Sequence, residues 1–198
     1  MCIQRQVHSA DIRWVEEPGD FASGEREGDG LITDRPGLLL GVLTADCCPV
    51  LLADPEKRVV AAVHAGWKGA IGAIAAKAVQ DMSLRRGCRP SAMVALIGPT
   101  IGRCCFQVGP EVREAFLAEH DFAPGCFRED FDPAGNRIDD RWKLDMELFH
   151  RILLQRSGLN EGHIHSLSCC THCRQDLFYS YRRDGNRTGR MLSVIGLL

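Results

Sequence analysis

The sequence predicts an α+β fold, a mixed β-sheet with helices packed on it, in one domain spanning residues 1–198. Three observations carry this. Apolar runs of strand length recur at residues 37–42, 50–53, 59–63 and 92–97. Helical periodicity appears at residues 71–82, 110–119 and 145–156. The two patterns mix without strict alternation, and no Gly-rich dinucleotide fingerprint follows a strand.

Each element has a local cause. Residues 16–30 are polar and Gly-rich, which predicts a surface loop. Asp54-Pro55-Glu56-Lys57 is a turn signal between two apolar runs. Residues 59–63 are β-branched or small, as in a buried strand. Ile71, Ile74, Ala75, Ala78 and Val79 recur at helical spacing. Gly98-Pro99 ends the strand at 92–97. Pro110 suits the first turn of a helix. Residues 122–141, with Pro124, Gly125, Pro133 and Gly135, predict irregular chain. Leu144, Leu148, Phe149 and Ile152 share a helical face, and Gly158 lies just beyond its end. Residues 163–168 and 191–195 predict closing strands.

Composition bounds the function. The 198 residues carry 24 basic and 26 acidic side chains, so no basic surplus points to nucleic acid. No apolar run approaches the roughly 18 residues of a membrane span, and the first residues lack the apolar core of an export signal. These features predict a soluble, cytoplasmic protein. Ten cysteines then suggest reduced thiols, some bound to metal, rather than a disulfide framework.

Three stretches hold chemistry-bearing residues: Gln6-Val7-His8, Thr44-Ala45-Asp46-Cys47-Cys48-Pro49 and His64-Ala65-Gly66-Trp67-Lys68-Gly69. The last two fall at strand ends, where sites usually sit. Two imidazoles and a thiolate are enough for a catalytic zinc with one open position. Their long separations leave open a buried Cys47 beside ordinary polar histidines. Gly66, Lys68 and Gly69 open a helix, an arrangement that either cradles an anion or simply connects strand to helix. Four arginines between Arg182 and Arg190 either grip phosphate or form a solvated loop. Asp46 either orients a neighbouring histidine or substrate, or caps a loop. Asp29 reads as turn chemistry, and His120 and His150 as surface residues. Cys169-Cys170-Thr171-His172-Cys173 has the form of half a zinc ribbon without a second half, and Cys104-Cys105 read as packing thiols.

The motifs Gln6-Val7-His8, Thr44-Ala45-Asp46-Cys47, His64-Ala65-Gly66-Trp67, Ile97-Gly98-Pro99 and the 178–191 block together resemble the multicopper-polyphenol-oxidase-like, or laccase-domain, family. Bacterial members are described as purine nucleoside phosphorylases. The resemblance implies an α/β sandwich of mixed sheets with flanking helices, like the catalytic domain of cytotoxic necrotising factor toxins. It implies a zinc site at His8, Cys47 and His64, with copper as the older assignment. It implies phosphorolysis of adenosine, inosine, guanosine and methylthioadenosine, with adenosine deamination as a further activity. Copper-dependent polyphenol oxidation and a metal-free Cys–His hydrolase are the alternatives.

On this reading Cys47, His64, His8 and Asp46 form the catalytic group, and Lys68, Gly66, Gly69 and Arg183 hold phosphate. Partners are small purine nucleosides and phosphate, with no nucleic acid and no membrane. Lys68 stands where the family often has arginine, and Phe106-Gln107 where Tyr-Glu is common.

Overall fold

The computed structural model describes residues 1–17 and 26–198. Its centre is a six-stranded sheet of β1 (Ile12–Trp14), β2 (Gly30–Thr33), β5 (Val59–Ala65), β4 (Cys48–Asp54), β6 (Val94–Ile97) and β10 (Ile164–Ser166), in that spatial order. The two edge pairings are parallel and the inner ones antiparallel. A second sheet pairs β3 (Leu39–Thr44) with β11 (Met191–Gly196), and a third joins β7 (Gln107–Val108), β9 (Arg137–Leu144) and β8 (Phe127–Phe131). The helices are α1 (Trp67–Ile71), α2 (Ile74–Arg86), α3 (Pro110–Glu119), α4 (Met146–Arg156) and α5 (Tyr181–Asp184). The predicted α+β class with several sheets and flanking helices is what the chain adopts.

Strand β5 explains how the layers stack. All seven of its residues are buried, so it reads as a continuous apolar run. Successive side chains still point to opposite faces. Val59, Ala61, Val63 and Ala65 join the cluster formed with α2 and α4. Val60 and Ala62 join the one formed with β3. His64 shares the parity of the second set, which directs it away from the helices. The same period places Cys48 in the helix-side core, where burial pushes its thiol up.

Several local expectations are corrected. The helix predicted over 71–82 begins at Ile74 and runs on to Arg86, because Ala73 adopts a left-handed backbone (φ 55°) that separates α2 from the short α1 ending at Ile71. Residues 122–141 are not irregular: β8 and β9 form a charged, mostly exposed hairpin with no apolar alternation to betray it. The loop over 16–30 falls partly outside the described residues. Its end is not surface, since Asp29 is buried and Gly30 starts β2. Helix α4 begins as predicted, with the Asp145 carboxylate accepting from the Leu148 amide at 2.9 Å. No described helix is long and apolar enough to cross a membrane.

His150 and His120 are not surface residues. His150 is fully buried beside Phe149, with ring centroids 5.5 Å apart, and neither ring nitrogen has a partner. Nε2 of His120 is hydrogen-bonded to the Ile71 carbonyl oxygen at 2.9 Å. Burial above all, with an electrostatic contribution from the neighbouring His120, lowers the His150 pKa to about 4.

The unfolded chain protonates His150 below about 6.5, the folded chain only below about 4. Between these values the unfolded state binds more protons, so stability falls as pH falls. His150→Leu is expected to remove about 3 kcal/mol of the stability lost between pH 7 and pH 4, read as a flatter pH profile in urea unfolding.

Candidate active site

One buried carboxylate organises two of the three predicted stretches. Asp29 precedes β2 and accepts hydrogen bonds from the amides of Val7, His8 and Ser9 at 3.3, 3.0 and 2.6 Å, and from the Ser9 hydroxyl at 2.8 Å. Three converging amides wrap residues 7–9 around the anion, and His8 takes a left-handed backbone (φ 61°) to do so. The other neighbour of Asp29 is His64, whose Nδ1 lies 2.8 Å from Oδ1. A carboxylate only accepts, so the proton sits on Nδ1 and Nε2 is left to face the cavity. Burial alone would raise the Asp29 pKa, but His64 and Ser9 outweigh it and hold it low.

Asp46 positions Cys47 in the bend between β3 and β4. Its backbone is left-handed (φ 84°). Its carbonyl oxygen accepts from the Thr100 hydroxyl at 2.8 Å and the Ile101 amide at 3.0 Å. Its carboxylate accepts from the Thr171 and Ser180 hydroxyls at 2.6 and 3.0 Å and the Arg182 amide at 2.6 Å. Of the two readings of Asp46, these contacts match the loop cap, although the residue also lines the cavity. The carboxylate hydrogen-bonded to a histidine of the group is that of Asp29.

His8, Cys47 and His64 come together. One ligand atom from each lies within 4.8 Å of the others. The Cys47 sulfur is 3.7 Å from Nε2 of His8, and the two imidazoles meet edge to face at 4.9 Å. Burial would push the Cys47 thiol up, yet hydrogen bonding to His64 and His8 lowers it to about 7. Burial would likewise depress His64, and its bonds to Asp29 and Cys47 instead lift it to about 9. Two ring nitrogens and an acidified thiol are a donor set that fits zinc and leaves a coordination position open. It also fits copper.

The trio lies at a cavity of about 730 Å³, a small-molecule size. Apolar walls come from Ile101, Phe106, Met146 and Trp67, and positive charge from Arg5, which pairs with Glu27, and from Arg182 and Arg190. Gly66 also lines it. The other residues expected to hold phosphate do not. Lys68 is exposed, with its amino group 5.6 Å from the Trp67 ring centre. Gly69 packs against the chain, where a Cβ would stand 2.9 Å from the Ser9 carbonyl oxygen. The Arg183 guanidinium is committed to the carbonyls of Thr171, His172 and Phe178 and to Asp184. Position 107 faces away as well: the Gln107 amide donates to Asp130 at 2.7 Å.

A Cβ on Gly66 would lie 2.6 Å from Cδ2 of His8 and 3.3 Å from the Cys47 sulfur. Gly66→Ala is therefore expected to displace His8 and lower kcat/KM at least tenfold, with circular dichroism unchanged. Asp29→Asn is expected to weaken metal binding by about 10- to 100-fold in chelator competition, because it removes the charge that orients His64.

Residues 1–198 match the family model described as multi-copper polyphenol oxidoreductase laccase. The chain is 36% identical over 197 residues to purine nucleoside phosphorylase YlmD of Geobacillus stearothermophilus, covering 96% of this chain and 70% of that protein. It is 40% identical over 192 residues to purine nucleoside phosphorylase of Deinococcus radiodurans, covering 97% and 68%. It is 33% identical over 201 residues to adenosine deaminase RL5 from an unknown prokaryotic organism, covering 98% and 74%. Among solved structures, Bacillus licheniformis YfiH superposes with a TM-score of 0.90 at 38% identity, covering 100% of this chain and 74% of that one. A family match over residues 1–198 and these identities agree: the chain belongs to the multi-copper polyphenol oxidoreductase laccase family.

Proposed function

We propose that this chain is a zinc-dependent, cytoplasmic purine nucleoside phosphorylase acting on adenosine, inosine, guanosine and methylthioadenosine. The observation that carries the reading is the cavity itself, in which a His8–Cys47–His64 donor set stands among apolar walls and three arginines. Relatives named purine nucleoside phosphorylase support it, as do ten cysteines that are all free thiols.

The chain's residues divide the work. Phe106, Trp67 and Ile101 offer apolar surface for a flat base. Arg182 lies over Phe106, its guanidinium carbon 5.4 Å from the ring centre. Nη1 of Arg182 donates to the Gln107 carbonyl and Nη1 of Arg190 to the Thr188 and Gly189 carbonyls. Each guanidinium fork keeps further donors for a phosphate dianion. Phosphate oxygen then bonds to the anomeric carbon as the bond from that carbon to the purine nitrogen breaks. The leaving base takes the proton that the attacking hydrogen phosphate gives up, and His64, protonated at Nδ1 and tied to Asp29, holds the donor set in place. A zinc ion held by His8, Cys47 and His64 would supply Lewis acidity.

A second reading, adenosine deamination at the same group, is favoured by the relative named adenosine deaminase. Water would add at the purine carbon bearing the amine, and ammonia would leave.

Inosine incubated with metal-analysed protein is expected to yield hypoxanthine only when phosphate is present. Equal cleavage without phosphate, or oxygen uptake with phenols in its place, would overturn the reading. Arg182→Ala and Arg190→Ala are each expected to raise the KM for phosphate by at least tenfold, at about 1.4 kcal/mol per decade. Cys47→Ala is expected to remove both phosphorolysis and ammonia release.

A further inference from the structure

A second gathering of metal-ligand side chains lies outside the cavity. Cys104, Cys105, Cys170 and Cys173 place their four sulfur atoms within 4.8 Å of one another. Cys173 is 3.6 Å from Cys104 and 3.3 Å from Cys105. None of the four lines the cavity.

Packing does not account for this cluster. Cys2, Cys48, Cys88 and Cys126 are buried thiols that serve as small hydrophobes, whereas Cys104 and Cys173 are exposed and Cys105 and Cys170 partly so. Four thiols converge at the surface with no apolar layer to draw them there. Chain geometry brings them from two separate places. Cys104 and Cys105 sit in a turn, so the opposed orientation expected of neighbours in a strand does not apply. Cys170 and Cys173 have the two-residue spacing of a zinc knuckle, also across a turn.

The two turns are already fastened together. The Thr171 amide donates to the Thr100 carbonyl at 3.0 Å, and the Gly102 amide donates to the Cys170 sulfur at 3.2 Å. A tetrahedral site with metal–sulfur bonds of about 2.3 Å has sulfur–sulfur edges of about 3.8 Å. Two separations, 3.3 and 3.6 Å, fall a little short of that edge and every other lies under 4.8 Å, so small rotations of side chains would close the coordination. The donors are all soft thiols, which selects zinc among common divalent ions and disfavours magnesium or calcium.

We propose that Cys104, Cys105, Cys170 and Cys173 form a tetrathiolate zinc site, separate from His8–Cys47–His64 and structural in role. The half ribbon at 169–173 thus has its second half at Cys104–Cys105, and those two are ligands rather than packing thiols. The clamp joins the loop that presents Ile101 and Phe106 to the cavity with the loop whose Thr171 holds Asp46. The shape of the cavity wall depends on the metal without the metal touching substrate.

Zinc content and cobalt spectra test this on the full chain purified under reducing conditions. Wild type is expected to carry about two zinc per chain, and Cys47→Ala and Cys170→Ser/Cys173→Ser about one each. After reconstitution with cobalt(II) alone, Cys47→Ala is expected to keep an intense thiolate-to-cobalt charge-transfer band, and the double variant to lose most of it. Should the double variant fail to fold, Cys104→Ser, at an exposed position, is expected to weaken that band by about a quarter. Unchanged zinc in the folded double variant, or no thiolate band in Cys47→Ala, would each overturn the proposal.

Discussion

A single buried carboxylate, that of Asp29, sets the geometry on which the candidate site depends. It gathers the amides of residues 7–9 and the Nδ1 proton of His64 at once. Two candidate ligands from distant parts of the sequence are thereby referenced to one anion rather than to each other. The unfavourable left-handed turn at His8 is offset by three amide hydrogen bonds, and the low local dielectric strengthens each of them. A charged group this deeply buried is tolerable only because its oxygens are so fully partnered.

Much of the fold was legible because the central strands are buried on both faces. Residues 59–63 and 50–53 announce themselves as apolar runs, and β5 and β4 occupy those places with a few residues added. What escaped were elements whose pattern is set by neighbours rather than by their own periodicity. Strands β8 and β9 carry the exposed residues Arg128, Glu129, Arg137 and Asp139 in no apolar alternation, so only their pairing makes them strands. Likewise β1 and β7 are too short for any pattern to appear.

The site was legible in its ligating residues and illegible in its supports. Histidine and cysteine at strand ends point to chemistry by residue type alone. Asp29 and Asp46 look alike in sequence, each an aspartate in a bend, and only the fold decides which faces a histidine. The arginine-rich stretch shows the same limit. Arg182 and Arg190 reach the cavity while Arg183, between them, is turned onto backbone carbonyls. Over one turn of helix the side-chain direction changes by more than a composition argument can follow.

The contacts of Asp46 also bear on when the site comes into being. Its carboxylate is held by groups 125, 134 and 136 residues later in the chain. Strand β3, immediately before it, pairs with β11 at the far end. Such long loops close late and at high entropic cost, so non-local pairings slow folding. During synthesis the cavity's floor is made early and its wall is made last. Until that segment docks, the Asp46 carboxylate beside Cys47 lacks its three partners, and a chain with most of its secondary structure formed still lacks an assembled site.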